Sequence, residues 1–308
     1  MEISEIAFGG VEIGIPYGIG IKSADDMLTE QEAINLLHAS ANAGINFFDT
    51  ARLYGNSETI MGKAFAGKRQ DVILSTKCRH FRDMDGKMAP ANTIEKLIED
   101  SLAESLQSLQ TDYLDIFMLH QADMEILENQ TITEVFTNIK DKGITRAIGA
   151  STYTTQETEK AIKSNVWDVV QLPFNLMDQR QSELFDMAEE KGIGMIVRSV
   201  LLKGLLSDRG KNLHPALRDV QSHIKSYDEL LGVTFPDLPT LAIKFALSFE
   251  QVTSVLIGMD RMDYLHQSLK AADGKYLDRD QLQRAQHLAY PDPAFLNLPH
   301  WDRMGWLT

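Results

Sequence analysis

Three polar residues close short apolar runs, and a fourth lies just beyond one of them. Asp49 follows Ile45-Asn46-Phe47-Phe48, and Tyr54 lies five residues on. Lys77 follows Val72-Ile73-Leu74-Ser75-Thr76, and His120 follows Ile116-Phe117-Met118-Leu119. These residue types form an acid–base set. A phenol has an unperturbed pKa of about 10 and is by itself a poor proton donor near neutrality. An ammonium beside it stabilises the phenolate and lowers that pKa. A carboxylate beside the lysine keeps it charged and oriented. A histidine at the same rim hydrogen-bonds a substrate oxygen and steers it. Taken singly, each residue has a plainer role. Asp49 serves as a turn or N-cap residue, Lys77 as a snorkelling lysine, Tyr54 as a rim aromatic, His120 as a core imidazole bonded to backbone. The chemistry requires all four to converge on one face.

Convergence depends on the elements that carry them. Short apolar runs at residues 3–8, 45–48, 72–74, 114–119, 144–148, 169–172, 193–197 and 253–257 read as buried strands, brief and mostly β-branched or aromatic. Amphipathic segments lie between them. Residues 30–42 place Ala33, Leu36, Leu37 and Ser40 on one face. Residues 93–109 place Ile94, Leu97, Ile98, Leu102, Leu106 and Leu109 on one stripe. Gly44, Gly143 and Gly192 stop helices directly before strands. Regular alternation with continuous apolar strands means a parallel sheet. Eight strands and about eight helices in 308 residues predict an α/β chain, a (β/α)8 TIM barrel forming one domain over residues 1–308. An open doubly wound sheet would want a G-x-G-x-x-G turn after the first strand, but Gly9-Gly10 is followed by Val11. In a parallel barrel the C-terminal strand ends share one face, where chemistry collects. Residues 272–308 form a Pro- and aromatic-rich tail, expected to lie over the barrel mouth.

The stretch from Phe47 through Asp49 and Tyr54 to Glu58, then Ser75-Thr76-Lys77, then Leu119-His120, resembles the aldo-keto reductase superfamily. The resemblance runs from about residue 6 to residue 272. It implies a (β/α)8 oxidoreductase that moves hydride between a nicotinamide cofactor, NADPH or NADH, and a carbonyl/alcohol pair. It implies the tetrad Asp49, Tyr54, Lys77 and His120, with Tyr54 as general acid and base. Cofactor contacts follow position by position. Ser151, Thr152 (where the family has Asn) and Gln171 match the groups that hold the nicotinamide carboxamide. Arg198 stands where many members stack a Tyr, and Ser199, Leu201 and Gly204 fall in the loop that covers the pyrophosphate. Gly10, with Gly9, ends the first strand, where close cofactor approach or a simple tight turn would each want glycine.

The adenine end departs from the family pattern. Gly258 replaces a Lys and Tyr264 an Arg of the 2′-phosphate clamp, and Gln267-Ser268 replace Glu-Asn. Asp260 is suited to repel a 2′-phosphate or to accept from a 2′-hydroxyl. Arg261 remains as the obvious phosphate partner, unless a cation from a distant loop closes over the site. NADH is therefore expected to be used appreciably.

Composition narrows the rest. With 30 Lys+Arg against 44 Asp+Glu, a net charge of −14 disfavours nucleic acid and anionic membranes as partners. One cysteine, Cys78, forms no intrachain disulfide and suits a reducing, cytoplasmic setting. No signal peptide and no run of 18 apolar residues is visible. A metal-dependent hydrolase would want several His and carboxylates at strand ends, and only His120 and Asp49 qualify, so no metal is expected. A competing reading is a cofactor-binding regulatory subunit, like the channel accessory subunits of the same superfamily, with little turnover. Tyr17, Arg52, Leu53, Arg79, His80, Phe81, Gln121, Trp301 and Trp306 are expected to frame the substrate, a small carbonyl compound or a polyol or sugar. Oligomeric state is left open.

Overall fold

The computed structural model describes residues 1–83 and 85–307. Eight parallel strands close into a barrel in chain order: β1 (Ile6–Gly9), β2 (Phe47–Asp49), β3 (Ile73–Lys77), β4 (Leu114–Leu119), β5 (Thr145–Ser151), β6 (Val169–Pro173), β7 (Gly194–Arg198) and β8 (Val252–Gly258). β1 closes on β8 with Gly9 opposite Gly258. Around them run α1 (Glu30–Asn42), α2 (Ser57–Ala64), α3 (Ile94–Ser108), α4 (Met124–Glu128), α5 (Gln130–Asp141), α6 (Thr155–Ser164), α7 (Phe185–Glu190), α8 (Arg218–Ile224), α9 (Leu238–Leu247) and α10 (Met262–Ala271). The tail carries α11 (Arg279–His287) and α12 (Leu298–Arg303). The helices exceed the expected eight because α4 and α8 are short insertions and α11 and α12 belong to the tail. None of the described helices is long and apolar enough to cross a membrane.

Strand alternation builds two layers. Ala7, Phe47, Ile73, Ile116, Met118, Ala147, Val169 and Ile196 fill the barrel interior. Their neighbours Phe8, Phe48, Leu74, Phe117, Ile148, Val170 and Val197 point outward and pack under the helices. The helix α1 buries Ala33, Leu36, Leu37 and Ser40, the face its spacing predicts. Gly44 takes φ +100° where α1 ends, and Gly143 and Gly192 do the same after α5 and α7.

Seven strands end later than their apolar runs. β1, β2, β3, β5, β6, β7 and β8 each carry on through residues read as flanking, among them Asp49, Lys77, Ser151, Pro173, Arg198 and Gly258. In a closed barrel every strand is paired on both sides, so backbone bonding continues past the apolar stretch. β2 also starts late: the Ile45 N–H donates to Ser40 O (3.1 Å), closing the end of α1 instead of joining the sheet.

Lys77 shares its face with Ser75 and Ile73, whereas Cys78 belongs to the outer layer, with no exposed surface. Burial pushes the Cys78 thiol up to about 12, so it is inert at neutral pH. Cys78→Ala should keep activity and lower the unfolding free energy by about 1 kcal/mol in a urea melt. The native thiol should resist Ellman's reagent. Loss of activity in a variant with unchanged circular dichroism would instead place the thiol in the chemistry.

Candidate active site

The strand ends bring the four polar groups together. Lys77 and Asp49 are each 1% exposed, and Lys77 Nζ donates to Asp49 Oδ2 (2.5 Å) and to Thr50 O (3.0 Å). Gln171 Nε2 donates to the other oxygen, Asp49 Oδ1, from β6 across the barrel (3.0 Å). Tyr54 sits in the turn between β2 and α2, with its ring centroid 5.2 Å from Lys77 Nζ. His120 follows β4 and meets that ring edge-on (5.3 Å, 84°). His120 Nδ1 is buried with no hydrogen-bond partner.

The electrostatics differ from the simple expectation. Burial pushes the Tyr54 phenol well above its ordinary value, the Asp49 charge adds to this, and Arg198 opposes it. Lys77 Nζ lies 5.2 Å from the Tyr54 ring centroid and gives its hydrogen bonds to Asp49 and Thr50. Burial lowers Lys77 from its ordinary value while Asp49 pulls it back up. Burial holds His120 well below the usual histidine range, and Lys77, His80 and Arg198 push the same way, so its imidazole is neutral.

Tyr54 and His120 open into a cavity of about 590 Å³, with Ser151, Gln171 and Arg198 beside them. Ser199, Leu201 and Gly204 line it from the loop after β7. Gly258, Asp260, Tyr264 and Ser268 line it from the end of β8 and from α10. That first loop is strained: Ser199, Leu202 and Lys203 hold φ of 60°, 48° and 58°, a region costing about 1–2 kcal/mol per non-glycine residue. Such strain persists where neighbours over-determine it. Here the Ser199 hydroxyl accepts from Arg198 (3.3 Å), and Lys203 pairs with Asp302 of the tail.

Other expected residues lie elsewhere. Gly10 does not line the cavity. A Cβ there would fall 2.5 Å from Met61 Cε and 2.8 Å from Asp49 O, so its glycine lets α2 pack. Thr152 is fully buried and off the cavity lining, and its hydroxyl is shared with Thr158 of α6 (2.7 Å). Arg261 stacks on Tyr264 (4.7 Å) at the surface. Arg198 stacks on Tyr153 (4.4 Å) and donates to Thr152 O (2.8 Å).

Of the substrate-framing set, Tyr17 and Leu53 line the cavity. Arg52 turns away to Glu58 and Glu104 (2.8 Å to the latter), and Arg79 also pairs with Glu104. Phe81 and Trp301 are buried in the core. His80 lies edge-on to His120 (4.8 Å), Gln121 is half-buried off the lining, and Trp306 stacks on His214 (6.0 Å). The tail meets the cavity through Leu296, Asn297 and the prolines 293 and 299 instead.

Two cavity residues carry no motif in the sequence. Arg209, from the loop after β7, is the distant cation, but it is neutralised by Asp260 (2.5 Å) and packs on Tyr264 (5.3 Å). Glu12, after β1, covers Gly258: a Cβ on Gly258 would fall 1.9 Å from Glu12 Oε1. Its other oxygen, Oε2, is buried without a partner. Burial pushes Glu12 up to about 8, and Asp260 contributes. The chance to find Glu12 lay in pairing it with Gly258, and nothing local in the chain links the two. Among the described residues, no cluster of three His, Cys, Asp or Glu is placed to hold a metal ion.

The Aldo/keto reductase family model matches residues 5–289. The chain is similar to the uncharacterized oxidoreductase YqkF of Bacillus subtilis, with 26% identity over 297 residues, 93% of this chain and 92% of the relative. It is similar to L-galactose dehydrogenase of Arabidopsis thaliana, with 28% identity over 312 residues, 94% of this chain and 92% of the relative. Among solved structures it resembles the holo form of aldo-keto reductase AKR11C1 from Bacillus halodurans, with a TM-score of 0.77 and 28% identity, over 93% of this chain and 92% of that one.

The Glu12 carboxyl gives a signed stability test. Its folded value is raised above the ordinary one, so the fold is not penalised below about pH 4.5 and loses stability as pH rises toward about 8. Glu12→Gln should therefore melt higher than wild type at pH 9 and about equally at pH 4. Equal melting temperatures at both pH values would show that the carboxyl is not held in a low-dielectric site.

Proposed function

Because the chain belongs to the aldo/keto reductase family, we propose that it is an oxidoreductase that interconverts a carbonyl and an alcohol with a nicotinamide cofactor, using Tyr54 as the proton donor and acceptor. The observation that carries this reading is the Tyr54–His120 edge at one end of the cavity, backed by the buried Lys77–Asp49 pair. The bound nicotinamide supplies the hydride.

The chain's own residues do the rest. Tyr54 gives its phenolic proton to the carbonyl oxygen as hydride reaches the carbon, and takes a proton from water afterwards. While the phenolate exists, the ammonium of Lys77 and the guanidinium of Arg198 are the cations near it. Asp49 keeps Lys77 charged inside the barrel, and Gln171 fixes Asp49. A neutral imidazole at His120 hydrogen-bonds the substrate oxygen without competing for the proton. Alcohol oxidation runs the same transfers backwards, with Tyr54 as base.

The cavity fits a dinucleotide. Ser151 and Gln171 would hold the carboxamide, Gln171 while one N–H of its amide donates to Asp49. Ser199, Leu201 and Gly204 would cover the pyrophosphate. Gly258, Asp260, Tyr264 and Ser268 would take the adenosine end. The Glu12 carboxyl fills the space beside Gly258 at that end. A sugar or polyol substrate agrees with the likeness to L-galactose dehydrogenase and with the mixed aromatic and polar lining of Tyr17, Tyr153 and His120.

Two measurements test this reading. Tyr54→Phe should lose about 10²–10⁴-fold in turnover on an aldehyde and sugar panel while retaining cofactor binding. A variant keeping more than about a tenth of the wild-type rate would remove the proton-transfer role. The same panel separates an enzyme from a regulatory subunit, for which wild-type turnover would be nearly absent. For cofactor choice, Arg209 is spent on Asp260, and Glu12 lies beside Gly258. NADH should therefore support turnover, with kcat/KM favouring NADPH by less than about a thousandfold. A larger preference would mean that Arg209 or Arg261 leaves its carboxylate for a 2′-phosphate.

A further inference from the structure

Four cationic side chains line the cavity among the described residues: Arg180, Arg198, Lys203 and Arg209. Three are neutralised. Arg180 forks onto Asp178 (2.8 and 2.7 Å), Lys203 pairs with Asp302, and Arg209 pairs with Asp260 (2.5 Å). Arg198 has no carboxylate partner. Its Nη2 donates to a neutral carbonyl, Thr152 O, its Nη1 to the Ser199 hydroxyl, and its face lies on the Tyr153 ring. These contacts fix the guanidinium without cancelling its charge.

The position of that charge matters. Arg198 ends β7, opposite Pro173 of β6, at the end of the cavity that holds Tyr54 and His120. Its field reaches both of these residues, as well as Tyr17 and Lys77. The other groups at that end sum to zero. Asp49 and Lys77 cancel, and burial keeps His120 neutral and the Tyr54 and Tyr17 phenols protonated. Glu12, nearer β8, is held in its protonated form at neutral pH by the same cause. The reacting end therefore carries one net positive charge, that of Arg198.

A nicotinamide ring is neutral when reduced and cationic when oxidised. Hydride leaves with its electron pair to form the C–H bond at the carbonyl carbon. The carbonyl π pair moves to oxygen and takes the Tyr54 proton, and the ring is left with a positive charge. We propose that Arg198 makes the site discriminate between the two redox forms, holding the reduced cofactor more tightly and expelling the oxidised one after transfer, which adapts the protein to carbonyl reduction. The proposal rests on the hydride-transfer reading above. It concerns relative affinities, since no binding site alters the equilibrium in free solution.

Equilibrium titrations test it without turnover. Purified wild type, Arg198→Gln and Arg198→Lys are titrated with NADH and NAD⁺, and with NADPH and NADP⁺, by calorimetry at one salt concentration. A unit charge about 10 Å away at an effective dielectric near 20 changes affinity roughly tenfold. Wild type should therefore bind the reduced form about tenfold more tightly. The ratio should collapse toward one in Arg198→Gln and survive in Arg198→Lys, which keeps the charge. An unchanged ratio in Arg198→Gln, or a wild type that prefers the oxidised form, overturns the proposal. Should Arg198→Gln fail to fold, loss of the preference in Arg198→Lys overturns it as well. If wild type binds neither nucleotide pair, the hydride-transfer reading falls and takes this proposal with it.

Discussion

The buried ion pair between Lys77 and Asp49 is the constraint around which the site is built. Two charges with 1% exposure each are costly to remove from water, and their attraction offsets that cost only if the remaining valences are filled. They are filled from three directions. Thr50 supplies a carbonyl from the end of β2, Gln171 supplies an amide from β6, and the pair itself joins β2 to β3. Removing any one partner leaves a buried charge short of a hydrogen bond. The barrel mouth is thus held in one geometry by polar demand as much as by the apolar layers below it. Tyr54 and His120 take their places on the rim of that fixed floor.

The same logic explains why Gln171 has a divided role. Its amide donates to Asp49 in the floor, and the same residue lines the cavity. Thr152 goes further and faces away altogether, bonded to Thr158. A strand-end polar residue has one side chain and two possible clients, the protein and a ligand. Which client wins depends on what the neighbouring helix offers.

At the far end of the cavity the controlling feature is mutual exclusion between Gly258 and Glu12. The carboxyl occupies the space that any side chain at 258 would need. Asp260 then engages Arg209, so neither charge there is left free. The tail contributes to closure through Lys203 and Asp302, while Trp301 serves the core against Phe295. Cavity wall and tail anchor are therefore different residues of one short segment.

The sequence by itself determined the barrel, the helix faces and the identity of the four polar strand-end groups. Those features depend on local periodicity and on one rule, that parallel strands end on a common face. Asp49, Lys77 and His120 were legible because a polar residue closing a buried strand is unusual, and Tyr54 because it lies five residues beyond Asp49. Other facts were decided by contacts between residues far apart in the chain. Glu12 meets Gly258, Arg209 meets Asp260, and Arg52 turns to Glu104. Each settles whether a charged or polar group faces the cavity or is spent on the protein. That choice depends on which partner lies within about 3 Å in the folded chain, and residue type and spacing carry no such distance.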